Sequence, residues 1–236
     1  MSLLIRILTA SALLALLSTN IFAGEKTAPQ PGVAVMIEPA FTVNPARTAL
    51  LIMDYQNDIV AMMPEKERAQ LVETAAAMIK EARKAKVQVI YVAVRFREGY
   101  PEINPQNKMF SSLKQSGRLT EGTPGAEIDG RISPQPGDIV ITKRRVGAFS
   151  TTELDTILRA KNINKLVLAG ISTSGVVLST VRWASDMDYS LAVVADACAD
   201  FDPEVHRVLM EKVFPRQATV IGSKEFVKTV GAGKAE

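Results

Sequence analysis

Residues 165–177 read KLVLAGISTSGVV. The run LVLAG has the length and composition of a buried parallel strand. Small polar residues follow (Ser172, Thr173, Ser174), then Gly175, then an apolar run at helical spacing. The order is strand, sharp turn, helix N-terminus. At such a turn the free N–H groups and the positive end of the helix dipole point beyond the strand's carboxyl end. They form a place to hold developing negative charge. A nucleophile often stands at the first helical position of such a turn. Here that neighbourhood offers Val176, which has only methyl groups.

The rest of the chain repeats the alternation. Residues 48–54, TALLIMD, form an apolar run ending in an acid, which fits a central strand with Asp54 at its carboxyl end. Residues 65–85 are rich in Ala, Glu and Lys, with a stripe at Leu71, Ala75, Met78 and Ile79, and predict a helix. Residues 87–94, VQVIYVAV, make the second strand. Residues 95–137 are punctuated by Gly and Pro and show no period, so they read as a long loop: a functional lid or a surface insertion. Residues 138–142 form a third strand with Lys143 just after it. A helix follows over 151–160, capped by Ser150 or Thr151. After the fourth strand, 165–170, come a helix over 173–187 and a fifth strand over 191–195 with Asp196 after it. A helix over 203–213, a short strand over 218–221 and a terminal helix from Lys224 complete the pattern. This predicts a three-layer α/β/α fold around a doubly wound, mainly parallel six-stranded sheet. Ligands of such sheets bind beyond the strand carboxyl ends, where strand order reverses. Asp54, Lys143 and the 172–176 turn all fall at that edge.

Composition bounds the function. The 236 residues suffice for one α/β domain. A net charge of +3, with no basic run interleaved with aromatics, gives no nucleic-acid surface. With one Cys and one His, an internal disulfide and a His/Cys zinc site are excluded, so no metal is expected. Neither GxGxxG nor a Walker motif occurs, so no nucleotide cofactor is expected. Residues 1–23 have the form of an export signal: Arg6, a short apolar run over 7–17, and Ala23 before Gly24. The alternative is an uncleaved anchor. Cleavage removes Arg6 and no acid, leaving a mature charge of +2. The expected location is the periplasm or outside the cell, with no membrane contact after cleavage. Residues 24–47 carry Pro29, Pro31, Pro39 and Pro45 and form an extended lead-in, so the domain proper is 48–236.

Each residue that could carry chemistry has two readings. Asp54 is a tuned proton donor or acceptor, with Lys143 setting its pKa, or a solvated acid capping the next turn. Gln56 and Asn57 orient that acid or simply bond the backbone. Arg144 and Arg145 receive a substrate carboxylate or form a solvated rim. Phe149 walls a pocket or plugs the core. Cys198 and His206 read as a buried structural thiol and a packing histidine.

The motifs ALLIMDYQND, KRRVGAFSTTEL and KLVLAGISTSGVV, in this order and spacing, resemble the isochorismatase-like hydrolases from about Thr48 to Ile221. That superfamily includes isochorismatase, nicotinamidase and N-carbamoylsarcosine amidohydrolase. The resemblance implies an Asp–Lys–Cys triad in which Asp54 is the acid and Lys143 the lysine. In the pattern G-x-x-T-x-x-C-V, Gly170 and Thr173 match, and Val176 stands at the cysteine. It further implies a non-proline cis peptide between Ile171 and Ser172, with the Ser172 and Val176 amides as the oxyanion cradle. Thr173 joins Gln56, Arg144 and Phe149 as candidate substrate contacts. Amidase members often bind a metal through histidines after the first strand, and this chain has none there. True isochorismatases also lack the cysteine, because vinyl-ether cleavage needs an acid and water, not a covalent catalyst.

The expected function is therefore an exported hydrolase acting on a small polar molecule by Asp/Lys acid–base chemistry, in the homo-oligomeric form common in that superfamily. The alternatives are an inactive small-molecule binding protein on the same fold, or an amide hydrolase with another nucleophile such as Ser174.

Overall fold

The computed structural model describes residues 41–232. The export segment, and the lead-in as far as residue 40, lie outside them. In chain order the elements are β1 (Thr48–Met53), α1 (Asn57–Val60), α2 (Glu65–Lys84), β2 (Gln88–Val94), α3 (Lys108–Ser116), β3 (Ile139–Lys143), α4 (Leu154–Ala160), β4 (Lys165–Ile171), α5 (Leu178–Asp186), β5 (Ser190–Ala199), α6 (Pro203–Val208), β6 (Thr219–Ile221) and α7 (Ser223–Ala232). The six strands form one sheet in the order β3-β2-β1-β4-β5-β6. Every pairing is parallel. The chain winds outward from β1 to β3, returns to the other side of β1 as β4, and winds outward again. Strand order reverses between β1 and β4, and the site lies at their carboxyl ends.

Helices cover both faces, which is why the strands read as unbroken apolar runs. Along β1, Leu50 and Ile52 enter the core shared with Val72, Ala75, Met78 and Ile79 of α2 and with Phe226 of α7. Ala49, Leu51 and Met53 point the other way, into the core shared with Leu154 and Leu158 of α4 and Val181 and Ala184 of α5. Alternation with period two gives each strand one residue set per face.

Several boundaries differ from the sequence reading. Lys143 is the last residue of β3, not the first after it. β5 runs four residues further than expected, to Ala199, so Asp196 and Cys198 lie inside a strand. A register shift in its pairing with β4, between Leu168 and Gly170, lets it continue. α4 begins only at Leu154, and its cap position is Glu153, with no side-chain cap from Ser150 or Thr151. The helix expected over 173–187 starts as a π turn, Thr173–Val177, before α5. That over 203–213 is likewise α6 followed by a π turn, Leu209–Val213. The region 95–137 is not all loop, because it contains α3. Asn107 caps that helix, its Oδ1 accepting from Phe110 N at 3.1 Å, and Gly117 ends it with φ +67°. This cap pair was readable in the sequence. Its apolar stripe was not, because Phe110 alone is buried.

Candidate active site

Asp54 follows β1 directly and takes a left-handed backbone conformation, φ +61°, which an Asp tolerates better than most residues. Its N–H still donates to Val92 O, at 2.8 Å, as the ladder with β2 ends. The side chain is buried, and its Oδ2 accepts from Lys143 Nζ at 2.9 Å. Lys143, also buried, donates to Arg145 O at 3.1 Å as well. Among the described residues Asp54 Oδ1 has no partner. Burial pushes the Asp54 carboxyl above its ordinary value, while the Lys143 ammonium draws it back down. The result is a desolvated acid with one oxygen held and one free.

The turn after β4 lies beside this pair. The Ile171–Ser172 peptide is cis, as the resemblance implies. Gly170 lets the turn close on the sheet: a Cβ there would lie 3.2 Å from Met53 Cβ and 3.2 Å from Val176 Cγ1. Ser172 O accepts from Gly175 N at 3.2 Å and Val177 N at 3.3 Å. Among the described residues the Ser172 amide donates to no acceptor, and the Val176 amide to none outside its own turn. Asp54, Lys143, Ser172 and Val176 share one cavity of about 350 Å³. Its walls are mainly apolar and include Ile59, Leu113 and Val146.

Other candidate contacts are placed elsewhere. Gln56 is fully buried and engaged with main chain: its Nε2 donates to Val94 O at 2.8 Å and Ala126 O at 2.7 Å, and its Oε1 accepts from Val94 N at 2.8 Å. It fastens the insertion to β2 and does not line the cavity. Asn57 does similar work, donating to Pro124 O at 2.8 Å. Phe149 packs in the core with Tyr189, ring centroids 5.9 Å apart, and does not reach the cavity. Arg144 points away from it into a cluster of acids, bonding Glu102 at 3.2 Å and also Glu121. Arg145 turns back on Arg144 O, at 2.6 Å. Thr173 is buried behind the turn, where its Oγ1 meets His206 Nδ1 at 2.8 Å. Asp200 Oδ2 accepts from Ser174 N at 2.6 Å nearby, so the segment leading into α6 braces the turn. His206 is thus a packing histidine with a specific partner. Cys198 is buried in β5, its thiol pushed up to about 12 by burial, and lies outside the cavity.

The sequence reading missed the cavity's outer wall, formed by α3, Arg118 and the exposed side chains of Met62, Met109 and Phe201. Met62, the 108–118 stretch and Phe201 lie far apart in the chain, so no local pattern links them. Among the described residues no three His, Cys, Asp or Glu side chains gather as a metal set.

A doubly wound sheet with an acid–lysine pair under a cis-peptide turn defines the isochorismatase-like class of hydrolase folds. Residues 48–225 match the isochorismatase domain model. The chain is 34% identical over 184 residues, 78% of its length and 94% of the other's, to an uncharacterized isochorismatase family protein, YwoC, of Bacillus subtilis. It is 32% identical over 164 residues (67% of this chain, 84% of the other) to a probable inactive nicotinamidase of Arabidopsis thaliana. A cysteine hydrolase from Pseudomonas syringae pv. phaseolicola shares the fold at a TM-score of 0.75, with 23% identity, over 84% of this chain and all (100%) of that one. The chain belongs to the isochorismatase family.

Proposed function

We propose that this isochorismatase-family hydrolase is exported and cleaves an acid-labile bond, such as a vinyl ether, without a covalent intermediate. The observation that carries the reading is a buried acid facing a cavity in which the expected nucleophile position is Val176. In the proposed reaction Asp54 gives its proton to the enol carbon. Water adds to the resulting oxocarbenium, and the hemiketal collapses to an alcohol and a carbonyl. The proton lost by water returns to the Asp54 carboxylate. Lys143 balances that carboxylate while it is charged, and the Ser172 and Val176 amides can donate to the departing alcohol oxygen as the hemiketal collapses, the one point at which negative charge builds on the substrate. No thiolate is needed. Purified mature protein assayed against vinyl ethers, esters and amides tests the reading. Turnover of a vinyl ether that survives thiol alkylation is the expected result.

A second reading is a binding protein that keeps the pocket and has lost catalysis. Val176 favours it, as does similarity to the Arabidopsis protein named as probably inactive. Retention of both Asp54 and Lys143 favours the enzyme. Ligands that bind and are never converted would decide for the binding protein.

A further inference from the structure

Among the described residues the insertion 95–137 carries four arginines, and three of them are paired with acids. Arg95 meets Glu127 at 3.1 Å, Arg97 meets Glu102 at 2.6 Å, and Arg131 meets Asp129 at 2.7 Å. The fourth, Arg118, has no carboxylate within salt-bridge reach among the described residues; its Nη1 rests on Met62 Sδ at 3.2 Å. A thioether is a weak acceptor and supplies no charge. The neighbouring acid, Asp58, is turned inward, its Oδ2 accepting from Leu119 N at 2.9 Å.

Arg118 is exposed, yet its main chain is held on both sides. Its carbonyl accepts from Tyr100 Oη at 2.8 Å, and the next carbonyl, of Leu119, accepts from Phe96 N at 2.8 Å. The side chain therefore projects from a fixed point on the cavity wall. Around it stand Met62, Met109 and Phe201, 45%, 59% and 52% exposed. Single exposed apolar residues are ordinary, but three from separate segments converging on one cavity form a surface that a ligand would cover.

We propose that Arg118 is a specificity-determining residue, and that the site takes an amphiphilic monocarboxylate whose apolar body lies against Met62, Met109 and Phe201 with its carboxylate on Arg118. This assigns to Arg118 the role that the sequence suggested for Arg144 or Arg145. It rests on reading this cavity as the substrate site, but not on the bond that is cleaved.

The test is calorimetric binding of 3-phenylpropionate, 3-phenylpropionamide and acetate to wild type, Arg118→Gln and Arg118→Lys. In wild type the aryl carboxylate should bind about 2–5-fold tighter than its amide, and acetate should bind more weakly than either. Arg118→Gln should remove the preference and leave the amide's affinity unchanged. Arg118→Lys should keep part of it, because charge survives without the planar fork. Equal binding of acid and amide to wild type, a preference that persists in Arg118→Gln, or no binding of either aryl probe overturns the proposal. Turnover is not read, so failure of the vinyl-ether reading leaves this result unaffected.

Discussion

At the scale of the residue, the proposed reaction depends on one proton. Asp54→Asn keeps the shape of the side chain but can neither give nor take that proton, so turnover should fall roughly 10²–10⁴-fold in a protein of unchanged circular dichroism. Near-normal turnover would remove Asp54 from the mechanism. Burial holds the Asp54 pKa above its ordinary 3.8, so the protonated acid persists to higher pH than in a solvated carboxylate. Activity should decline as pH rises through the folded value. Lys143→Met removes the cation that lowers this pKa, so the falling limb of the pH–rate profile should move to higher pH as kcat drops. The stability sign follows from the same shift. The folded chain holds this proton more tightly than the unfolded chain does. Asp54's contribution to stability is therefore full below the ordinary value and is lost as pH rises through the folded one. Urea titrations across that range should show a slope in wild type that is absent from the Asp54→Asn/Lys143→Met variant.

At the scale of the element, the site depends on how strands and turns are fastened. Gln56 satisfies three buried main-chain groups across β2 and the insertion. Gln56→Ala removes the side-chain partner of Val94 N–H and C=O, while Ala126 O keeps Arg95 Nε at 3.2 Å, and should cost about 2–4 kcal/mol in urea denaturation, because each orphaned buried group carries its own desolvation penalty. Cys198 belongs to β5 and to the core, with its Sγ 3.8 Å from Leu168 O. Its raised pKa and burial keep the thiolate scarce. Iodoacetamide should therefore leave turnover intact, as should Cys198→Ser. Stoichiometric labelling with parallel loss of activity, reproduced by Cys198→Ser without unfolding, would put the chemistry on β5 instead of on the turn after β4.

At the scale of the whole molecule, a domain of this size needs no partner to bury its core. We propose that the apolar segment before Gly24 serves targeting. Mature protein recovered from cells should begin near Gly24 and lie outside the cytoplasm; N-terminal sequencing that returns Met1 from a soluble cytoplasmic fraction would refute export. The proposed homo-oligomer should appear in sedimentation velocity as a species larger than one chain.

The sequence by itself determined the layers, the strands' identities and the edge where the site lies. Strand alternation and turn chemistry are local, and apolar runs such as TALLIMD and KLVLAG carry them within a few residues. It also placed Asp54, Lys143 and the Ser172–Val176 turn at strand ends, because a polar residue that ends a buried strand is visible without knowing its neighbours. Only the tertiary structure decided which side chains face the cavity. Gln56, Phe149, Thr173 and Arg144 had the right chemistry and sequence position, but their side chains are engaged by Val94, Tyr189, His206 and Glu102, partners at least 30 residues away. Arg118 had no motif; its Nη1 is left against Met62 Sδ because the neighbouring acid, Asp58, is turned to Leu119 N. A side chain's direction depends on which distant polar groups satisfy it, and that pairing exists only once the chain has closed.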